Sequence, residues 1–361
     1  MQLRTASETE LDLVSLGECM VRLSPPGHER IEFARTLEVH VGGGEYNVAY
    51  AIARLGLRAG WVGGLVDNAL GAIVRNHARG AGMDLSAAVT VPFDGVGRAA
   101  RVGLNFTEVG IGPRASVTMY DRGYSATSQL QLGDVDWNDL FGRRGVRWFH
   151  TGGIFTCLSE STRAVAMEAA EAAHRHGTVV SYDLNFRSKL WTSETAIAAT
   201  RPLLPFIDCL IGNEEDFQQS LGSAVEGVDP DLGALPVDAY MTMVRRVAAD
   251  HPNVSLVGTT LREVTSASRN GWSAILFDAA SGNFFRGPSM ELEIEDRVGG
   301  GDGFASGVIW SYLTGETDPQ VAVNIGTAHG ALLQTTRGDT SQVSAAELRR
   351  VASGAGARIV R

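Results

Sequence analysis

Short apolar segments alternate with amphipathic segments along this sequence, and the alternation restricts the fold more than any other feature does. Apolar runs bounded by turn residues are typical of buried strands, and they occupy residues 11–16, 61–62, 146–149, 179–182, 209–211, 254–257 and 274–277. Amphipathic stretches stopped by a glycine are typical of helices, and they occupy residues 47–55, 161–176 and 303–313. The repetition of strand and helix predicts an α/β fold with a mostly parallel sheet flanked by helices.

Two segments, residues 21–41 and 93–128, interrupt this alternation and show no helical period. Residues 115–120 alternate in polarity as a strand does. We therefore expect a small β-sheet that closes as a lid over the carboxyl edge of the main sheet, where open α/β sheets bind ligands. No long linker separates these segments from the rest, so a single domain over residues 1–361 is predicted.

The composition excludes several classes of partner. Basic residues number 31 and acidic residues 41 among the 361, and a formal charge of −10 disfavours binding to a nucleic acid or an anionic membrane surface. No window approaches the roughly 18 apolar residues that a membrane span requires. The three cysteines, Cys19, Cys157 and Cys209, suit neither a disulfide framework nor a zinc site, which predicts a cytoplasmic location.

Lysine occurs once in the sequence, at Lys189. The sequence therefore contains neither a GxxxxGK[ST] phosphate loop nor the lysine motif of protein kinases. Any phosphate chemistry must rely on backbone amides, arginine side chains and a metal ion.

The most specific motif is a run of three glycines before an acidic residue, namely Gly299, Gly300, Gly301 and Asp302. Apolar residues follow at four-residue spacing, which predicts that the glycines open a helix whose first amides are free to bind an anion. A carboxylate there could act as general base toward a hydroxyl that attacks a phosphoryl group held by the amides. The alternative is a flexible turn in which Asp302 only caps the helix.

A second glycine-rich segment precedes another predicted helix. Gly43 and Gly44 would let a polar ligand approach the backbone closely, and Asn47 offers both a donor and an acceptor. The alternative is an ordinary helix start after a tight turn.

Polar residues also follow the predicted strand at residues 179–182, where a cleft is expected. They are Asp183, Asn185 and Arg187. Arg187 could hold a carboxylate or a phosphate by two hydrogen bonds, or it could pair with Asp183 or face solvent.

Two more clusters could serve a phosphorylated or anionic ligand. Asn213 and Asp216 follow the predicted strand at residues 209–211, and their oxygens suit Mg²⁺ held through water; a solvated helix start is the alternative. Arg122 follows Tyr120 in the predicted lid and could meet a substrate anion from above, or it could be solvated.

The order of these landmarks resembles the ribokinase-like (PfkB) family of carbohydrate kinases over nearly the whole chain. The landmarks are Gly17-Glu18, Gly43-Gly44 with Asn47, residues 62–67 with Gly71, residues 213–216 and residues 299–302. The resemblance implies a Rossmann-like α/β domain with a small β-lid, ATP as phosphoryl donor and Mg²⁺. It also implies that Asp302 is the catalytic base and that the glycines before it form an anion hole.

Within that family the chain looks most like 2-keto-3-deoxygluconate kinases, and the likeness rests on residues 22–27, 42–45, 120–122 with 125–126, 183–187 with 190–191, 260–263 and 296–302. By this resemblance the substrate is surrounded by Gly43, Gly44, Asn47, Asn105, Tyr120, Arg122, Asp183, Asn185, Arg187 and Asp302. The nucleotide contacts Asn213, Thr260, Arg262, Gly299, Gly301 and Ala328, and the metal site comprises Asn213 and Asp216.

Some positions depart from the pattern of the subgroup. Asn105 stands where many members have a tyrosine that touches the substrate, which leaves the identity of the substrate open. Asp216 replaces a glutamate and keeps the carboxylate. Arg297 and Gly300 replace the commoner threonine and alanine of the family, although the subgroup often has them.

The expected activity is ATP-dependent phosphorylation of 2-keto-3-deoxygluconate to 2-keto-3-deoxy-6-phosphogluconate, because Arg122 and Arg187 could bind the carboxylate of a sugar acid. The same mechanism could instead act on fructose, ribose or 2-keto-3-deoxygalactonate. A different class is a non-catalytic sensor of a sugar acid or nucleotide. A homodimer through the lid is also expected, because an exposed lid edge would otherwise invite aggregation.

Overall fold

A computed structural model describes residues 1–223 and 237–355 of the chain. Its strands are β1 Leu11–Leu16, β2 Met20–Ser24, β3 Glu38–Gly42, β4 Ala59–Val62, β5 Gly64–Val66, β6 Val89–Val91, β7 Gly103–Glu108, β8 Val117–Asp121, β9 Val146–Gly152, β10 Val179–Asp183, β11 Cys209–Ile211, β12 Leu256–Ser266, β13 Arg269–Asp278, β14 Asn283–Arg286 and β15 Met290–Glu293. Its α-helices are α1 Gly44–Arg54, α2 Ala69–Gly80, α3 Gly153–Cys157, α4 Glu160–Arg175, α5 Ser193–Thr200, α6 Glu214–Leu221, α7 Val237–Asp250, α8 Gly300–Leu313, α9 Pro319–Leu333 and α10 Ala345–Ala352. None of the helices in these two ranges has both the length and the apolar character that crossing a membrane requires. The single domain predicted for residues 1–361 also includes residues 224–236 and 356–361, which lie outside the described ranges.

The central sheet has nine strands in the order β14-β13-β12-β11-β10-β9-β1-β4, with β15 beside β13. Pairing is parallel from β12 to β4 and antiparallel among β12, β13, β14 and β15. Successive strand residues such as Trp148 and Phe149 are buried in two different apolar clusters. One cluster contains residues of α1, α8 and α9, and the other contains residues of α4 and α7. Because both faces are covered by helices, the prediction of an α/β fold with a mostly parallel sheet is confirmed.

A separate four-stranded sheet has the order β3-β2-β7-β8, and its strands lie in or beside the two segments that lack helical period. Arg22, Asn105 and Tyr120 are paired in register across this sheet and therefore share its inner face. The neighbouring row shares the outer face and is apolar, comprising Val39, Leu23, Phe106 and Met119. The small β-sheet that the sequence predicted is therefore present, with one polar and one apolar face. We call it the lid sheet.

The sequence prediction was wrong about the extent of several elements. Strands β12 and β13 are far longer than the predicted segments 254–257 and 274–277, because the outer half of β12 is mostly exposed and carries no apolar pattern. Helices α1 and α8 each begin three residues earlier than predicted, at Gly44 and Gly300. Glycine is a poor helix former in an interior, so the apolar period that predicted these helices begins only after the glycine-rich first turn.

Candidate active site

A cleft of about 330 Å³ lies between the inner face of the lid sheet and the carboxyl edge of the central sheet. Among its lining residues are those predicted from the sequence, namely Gly43, Gly44, Asn47, Asn105, Tyr120, Arg122, Asp183, Asn185, Arg187, Asn213, Asp216, Thr260, Arg262, Gly299, Gly300, Gly301 and Asp302. Ala328 is the exception, because it is fully buried within α9 and does not belong to the cleft wall. Residues from the two ends of the chain thus converge on one site.

Asp302 stands in the first turn of α8, at the centre of this cleft wall. Its Oδ2 accepts a hydrogen bond of 2.7 Å from Asn47 Nδ2. The side-chain oxygen of Asn47 accepts a second bond from the Gly43 amide at 3.2 Å. Asn47 therefore ties the start of α1 to the carboxylate of Asp302, and each end of its amide makes one hydrogen bond to the protein.

The carboxyl group of Asp302 is less acidic than an ordinary aspartate. Removal from water raises its pKa to about 6, in spite of the hydrogen bond from Asn47. The charge of Asp339 raises the pKa as well, whereas Arg187 and Arg262 lower it. At neutral pH the group is ionised and its basicity is close to what a general base requires.

The glycine run before Asp302 forms a compact turn at the helix start. Gly299 is the N-cap of α8 with a left-handed φ of +85°, a conformation that favours glycine. A Cβ on Gly299 would also lie 2.7 Å from the Asp339 carbonyl oxygen. The first amides of α8 have no intrahelical acceptor and carry the positive end of the helix dipole. This helix start can bind an anion beside Asp302.

The start of α1 approaches the same point from the opposite side. A Cβ on Gly43 would overlap the carbonyl oxygen of Glu18, so only glycine fits there. A Cβ on Gly44 would lie 3.7 Å from both Asn185 Nδ2 and Asp302 Oδ1. The backbone at Gly44 is therefore open to a ligand that lies between these two side chains.

The carboxyl end of β10 places a second carboxyl group, that of Asp183, near Asp302. Burial raises the pKa of Asp183 well above its ordinary value, and the nearby charges of Asp216 and Asp302 add to this effect. Asp183 Oδ1 accepts the amide of Asn185 at 3.1 Å, and Asn185 adopts a left-handed φ of +34°. A protonated Asp183 can donate a hydrogen bond to a ligand hydroxyl, whereas Asp302 at neutral pH can only accept one.

Asn213 and Asp216 form a reciprocal cap at the start of α6. Asn213 Oδ1 accepts the Asp216 amide at 2.9 Å, and Asp216 Oδ2 accepts the Asn213 amide at 2.8 Å. Asp216 Oδ1 accepts the amide of Phe186 at 2.8 Å. Across residues 1–223 and 237–355 there is no group of three histidine, cysteine, aspartate or glutamate side chains placed to hold a metal ion. The donors present fit a hydrated Mg²⁺ held through water, because that ion keeps much of its hydration shell.

The lid side of the cleft carries a buried ion pair that the sequence did not predict. Arg122 pairs with Glu18, and the two side chains are 11% and 2% exposed. The Arg122 guanidinium also lies over the ring of Tyr120, at 5.4 Å from the ring centroid. Asn105 lines the cleft on the neighbouring strand and accepts a hydrogen bond from Thr107 Oγ1 at 3.3 Å. Arg122 is thus held in place before any ligand arrives.

The remaining arginines of the cleft lie on the side of α6 and α8. They are Arg187, Arg262 and Arg297. Within the described ranges no carboxylate oxygen lies within 4.0 Å of any of the three, so the pairing of Arg187 with Asp183 that the sequence allowed is not formed. The cleft therefore has a lid side with a neutralised arginine and an opposite side with three unpaired positive charges.

Asp339 is a cleft residue that sequence reasoning missed. Its Oδ1 accepts Arg22 Nη1 at 3.0 Å, while Oδ2 is buried without a hydrogen-bond partner among the described residues. Arg22 also donates to Asp296 Oδ2 at 2.6 Å, which joins the lid sheet to the loop before α8. Arg22 and Asp339 are 317 positions apart, and no local motif marks either of them as part of one site.

Residues 10–235 match the profile of the pfkB family carbohydrate kinases. A 2-dehydro-3-deoxygalactonokinase from Haloferax volcanii is 33% identical over 350 residues, which cover 97% of this chain and 99% of that protein. The fold comparison agrees. A 2-dehydro-3-deoxygluconokinase from Thermotoga maritima superposes with a TM-score of 0.87 at 36% identity, covering 95% of this chain and all of that one.

A fructokinase with bound ATP from Xylella fastidiosa shares the fold at 19% identity, with a TM-score of 0.71 and coverage of 95% and 98% of the two chains. The profile match spans more than half of this chain, and the Haloferax relative is aligned over nearly its full length. The landmarks that predicted a carbohydrate kinase thus agree with both kinds of comparison, and this chain belongs to the pfkB family of carbohydrate kinases.

Proposed function

We propose that this sugar kinase transfers the γ-phosphoryl group of ATP to the 6-hydroxyl of 2-keto-3-deoxygluconate, which is also called 2-dehydro-3-deoxygluconate. The observation that carries the proposal is the position of the Asp302 carboxylate. It is held at 2.7 Å by Asn47, beside the free amides of α8, in the cleft that the lid sheet covers. A base and an anion site placed side by side are what phosphoryl transfer to a hydroxyl needs.

In the proposed reaction Asp302 accepts the proton of the sugar hydroxyl as its oxygen attacks the γ-phosphorus. The amides of Gly300 and Gly301 face the phosphoryl oxygens, where negative charge accumulates in the transition state. Asn47 keeps the carboxylate of Asp302 at one angle to the helix start, so base and anion hole stay in fixed relation.

ATP as donor and Mg²⁺ as its partner belong to the same proposal. The three unpaired arginines and the start of α8 suit a polyphosphate, and a fructokinase of the same fold contains ATP. Asn213 and Asp216 would hold Mg²⁺ through water. When bound, the ion would offset the charge of the β- and γ-phosphates.

The names of the relatives support a keto-deoxy sugar acid as the acceptor. The Haloferax relative is named for the galactonate compound and the Thermotoga structure for the gluconate compound. The two acids differ in the configuration of one hydroxyl, so the galactonate epimer is the second candidate. Arg122 on the lid side would bind the carboxylate, and Asn105 and Tyr120 would line the sugar.

A coupled assay of ADP release tests the proposal with 2-keto-3-deoxygluconate, its galactonate epimer, fructose, ribose, gluconate and adenosine as acceptors. We expect turnover only with the two keto-deoxy acids. Preference for fructose or ribose would contradict the proposed substrate but not the assignment of sugar kinase activity. Binding of a sugar acid or nucleotide without any turnover would instead support a sensor.

The pKa of Asp302 predicts the pH dependence of the reaction. Only the ionised carboxylate can accept a proton, and its pKa is raised to about 6. The value of kcat/KM should therefore be constant well above pH 6 and should fall about tenfold per pH unit below it, because kcat/KM reports the ionisation of the free enzyme. The profile of kcat/KM against pH from 5 to 9 measures this. The residual activity of Asp302→Asn should lack the inflection, and an inflection retained in that variant would assign it to another group.

We also propose that two copies pair through the outer face of the lid sheet. Val39, Val117 and Met119 are each more than half exposed there, and they form an apolar face with the partly buried Leu23 and Phe106. An apolar sheet face of this kind is a typical interface between copies of one chain.

The substitution Met119→Arg should convert the dimer to a monomer, because a charge at the centre of the face would be buried without a partner. Light scattering after size-exclusion chromatography measures the mass. Leu132→Arg is the matched control, because Leu132 is 60% exposed and lies outside the lid sheet. A wild-type chain that is already monomeric at micromolar concentration would refute the interface.

A further inference from the structure

The side of the cleft opposite the lid contains three arginines that form no salt bridge with any described residue. Arg187, Arg262 and Arg297 all line it, and among the described residues none has a carboxylate oxygen within 4.0 Å. The three guanidinium groups differ in how they are held, and the difference separates their roles.

Arg297 and Arg187 already donate hydrogen bonds to other groups of the protein. Arg297 Nη2 donates to the Ser266 carbonyl oxygen at 2.6 Å and to Asn270 Oδ1 at 2.9 Å. Arg187 Nη1 donates to the Phe186 carbonyl oxygen at 2.8 Å, and the residue is exposed. Arg297 therefore anchors the loop before α8, whereas Arg187 is hydrogen-bonded only to the carbonyl oxygen of the preceding residue in the described structure.

Arg262 is held in another way. Its Cζ lies 5.3 Å from the ring centroid of Trp272, which is 1% exposed and donates its indole N–H to the Thr327 carbonyl oxygen at 2.9 Å. The guanidinium makes no hydrogen bond to any described residue. The contact with Trp272 thus positions Arg262 without using its five N–H donors, which remain for a ligand.

The guanidinium points at the proposed reacting centre. A Cβ on Gly301 would lie 4.0 Å from Arg262 Nη2. Arg262 is an exposed residue of the outer half of β12, but its guanidinium enters the cleft, where desolvation and the charges of Arg297 and Arg187 lower its pKa and the carboxylates of Asp216 and Asp302 oppose this. Arg262 therefore lies within electrostatic reach of the proposed base, the proposed metal site and the anion hole together.

We propose that Arg262 is a catalytic residue that binds the phosphoryl group while it is transferred. In that step the sugar hydroxyl oxygen forms a bond to the γ-phosphorus. The bond from that phosphorus to the β,γ-bridging oxygen breaks, its electron pair leaves with ADP, and the hydroxyl proton passes to Asp302. Negative charge on the equatorial oxygens of the phosphoryl group then faces the N–H donors of Arg262 that make no bond to the protein. This inference rests on the proposed function.

Such a role predicts a loss confined to the transition state. Arg262→Met keeps an unbranched chain against Trp272 and removes the charge. We expect kcat to fall about 10² to 10³-fold, while the Kd of Mg-ADP stays within about twofold, because the departed phosphoryl group is absent from ADP. Arg262→Lys should restore only part of the activity, since an ammonium group lacks the planar fork of donors.

Calorimetry with Mg-ADP, sugar acid and aluminium fluoride gives a readout independent of turnover, because aluminium fluoride with ADP imitates the phosphoryl group in flight. In the wild type, aluminium fluoride should tighten ADP binding at least tenfold, and in Arg262→Met this tightening should disappear. Arg269→Met is the matched control, because Arg269 lies on the same hairpin, is exposed and pairs with Glu293 at 3.2 Å. It should behave as the wild type does.

Full tightening in Arg262→Met, or a loss of ADP affinity as large as the loss of kcat, would overturn the inference. If the wild type phosphorylates the sugar acid and Arg262→Met has the same kcat, the role of Arg262 is refuted while the proposed function stands. A wild-type protein that turns over none of the acceptors would overturn the proposed function and this inference together.

Discussion

Replacing Asp302 by asparagine should lower kcat by about 10² to 10⁴-fold, which is the contribution expected of a general base. Asparagine has nearly the same shape and can still accept the hydrogen bond that Asn47 now gives at 2.7 Å. The anion site of α8 uses backbone amides and therefore survives the substitution. ATP binding should stay largely intact, so the loss appears in turnover rather than in nucleotide affinity.

The measurement is kcat with saturating Mg-ATP and 2-keto-3-deoxygluconate, together with the Kd of ATP by calorimetry. Asp318→Asn is the matched control, because Asp318 caps the neighbouring helix α9 through its bond to the Gln320 amide and lies outside the cleft. That control should retain wild-type turnover. An Asp302→Asn variant with unchanged kcat would remove Asp302 from the role of base.

The landmarks of the cleft were visible in the sequence because each is local. Three glycines before Asp302, and two before α1, reveal helix starts through their unusual composition alone. Asp183 and Asn213 follow short apolar runs, and parallel strands bring such positions to one edge of the sheet. These two local rules account for the two helix starts and for the residues after β10 and β11, whereas Asn105, Thr260 and Arg262 were predicted only from the resemblance to a known family.

Other features depend on contacts between distant segments and have no local sign. The pairing of Arg122 with Glu18 joins β8 to the loop after β1, and that of Arg22 with Asp339 spans nearly the whole chain. The position of Arg262 over Trp272 requires a hairpin whose polar outer half resembles a loop in the sequence. Such pairs between distant segments of one chain depend on the tertiary structure, which a pattern within a single segment does not encode.

The pair formed by Arg122 and Glu18 changes how a carboxylate site must be tested. Replacing Arg122 alone would leave Glu18, which is 2% exposed, as an unpaired buried charge. That cost would weaken binding of any acceptor, charged or neutral. The informative comparison is therefore Glu18→Gln against the double variant Glu18→Gln with Arg122→Met, because neither contains an unpaired buried carboxylate at this point.

In the Glu18→Gln background, loss of Arg122 should raise the KM for 2-keto-3-deoxygluconate roughly 10- to 100-fold. This follows from about 1.5–3 kcal/mol for a hydrogen bond to a charged group, with 1.4 kcal/mol for each factor of ten. The amide of the same sugar acid lacks the negative charge and should bind the two variants almost equally. Arg122 is stacked on Tyr120 and fixed in place, so the loss should appear in KM with little change in kcat. If acid and amide lose affinity by the same factor, Arg122 only shapes the lid, and the carboxylate is bound elsewhere in the cleft.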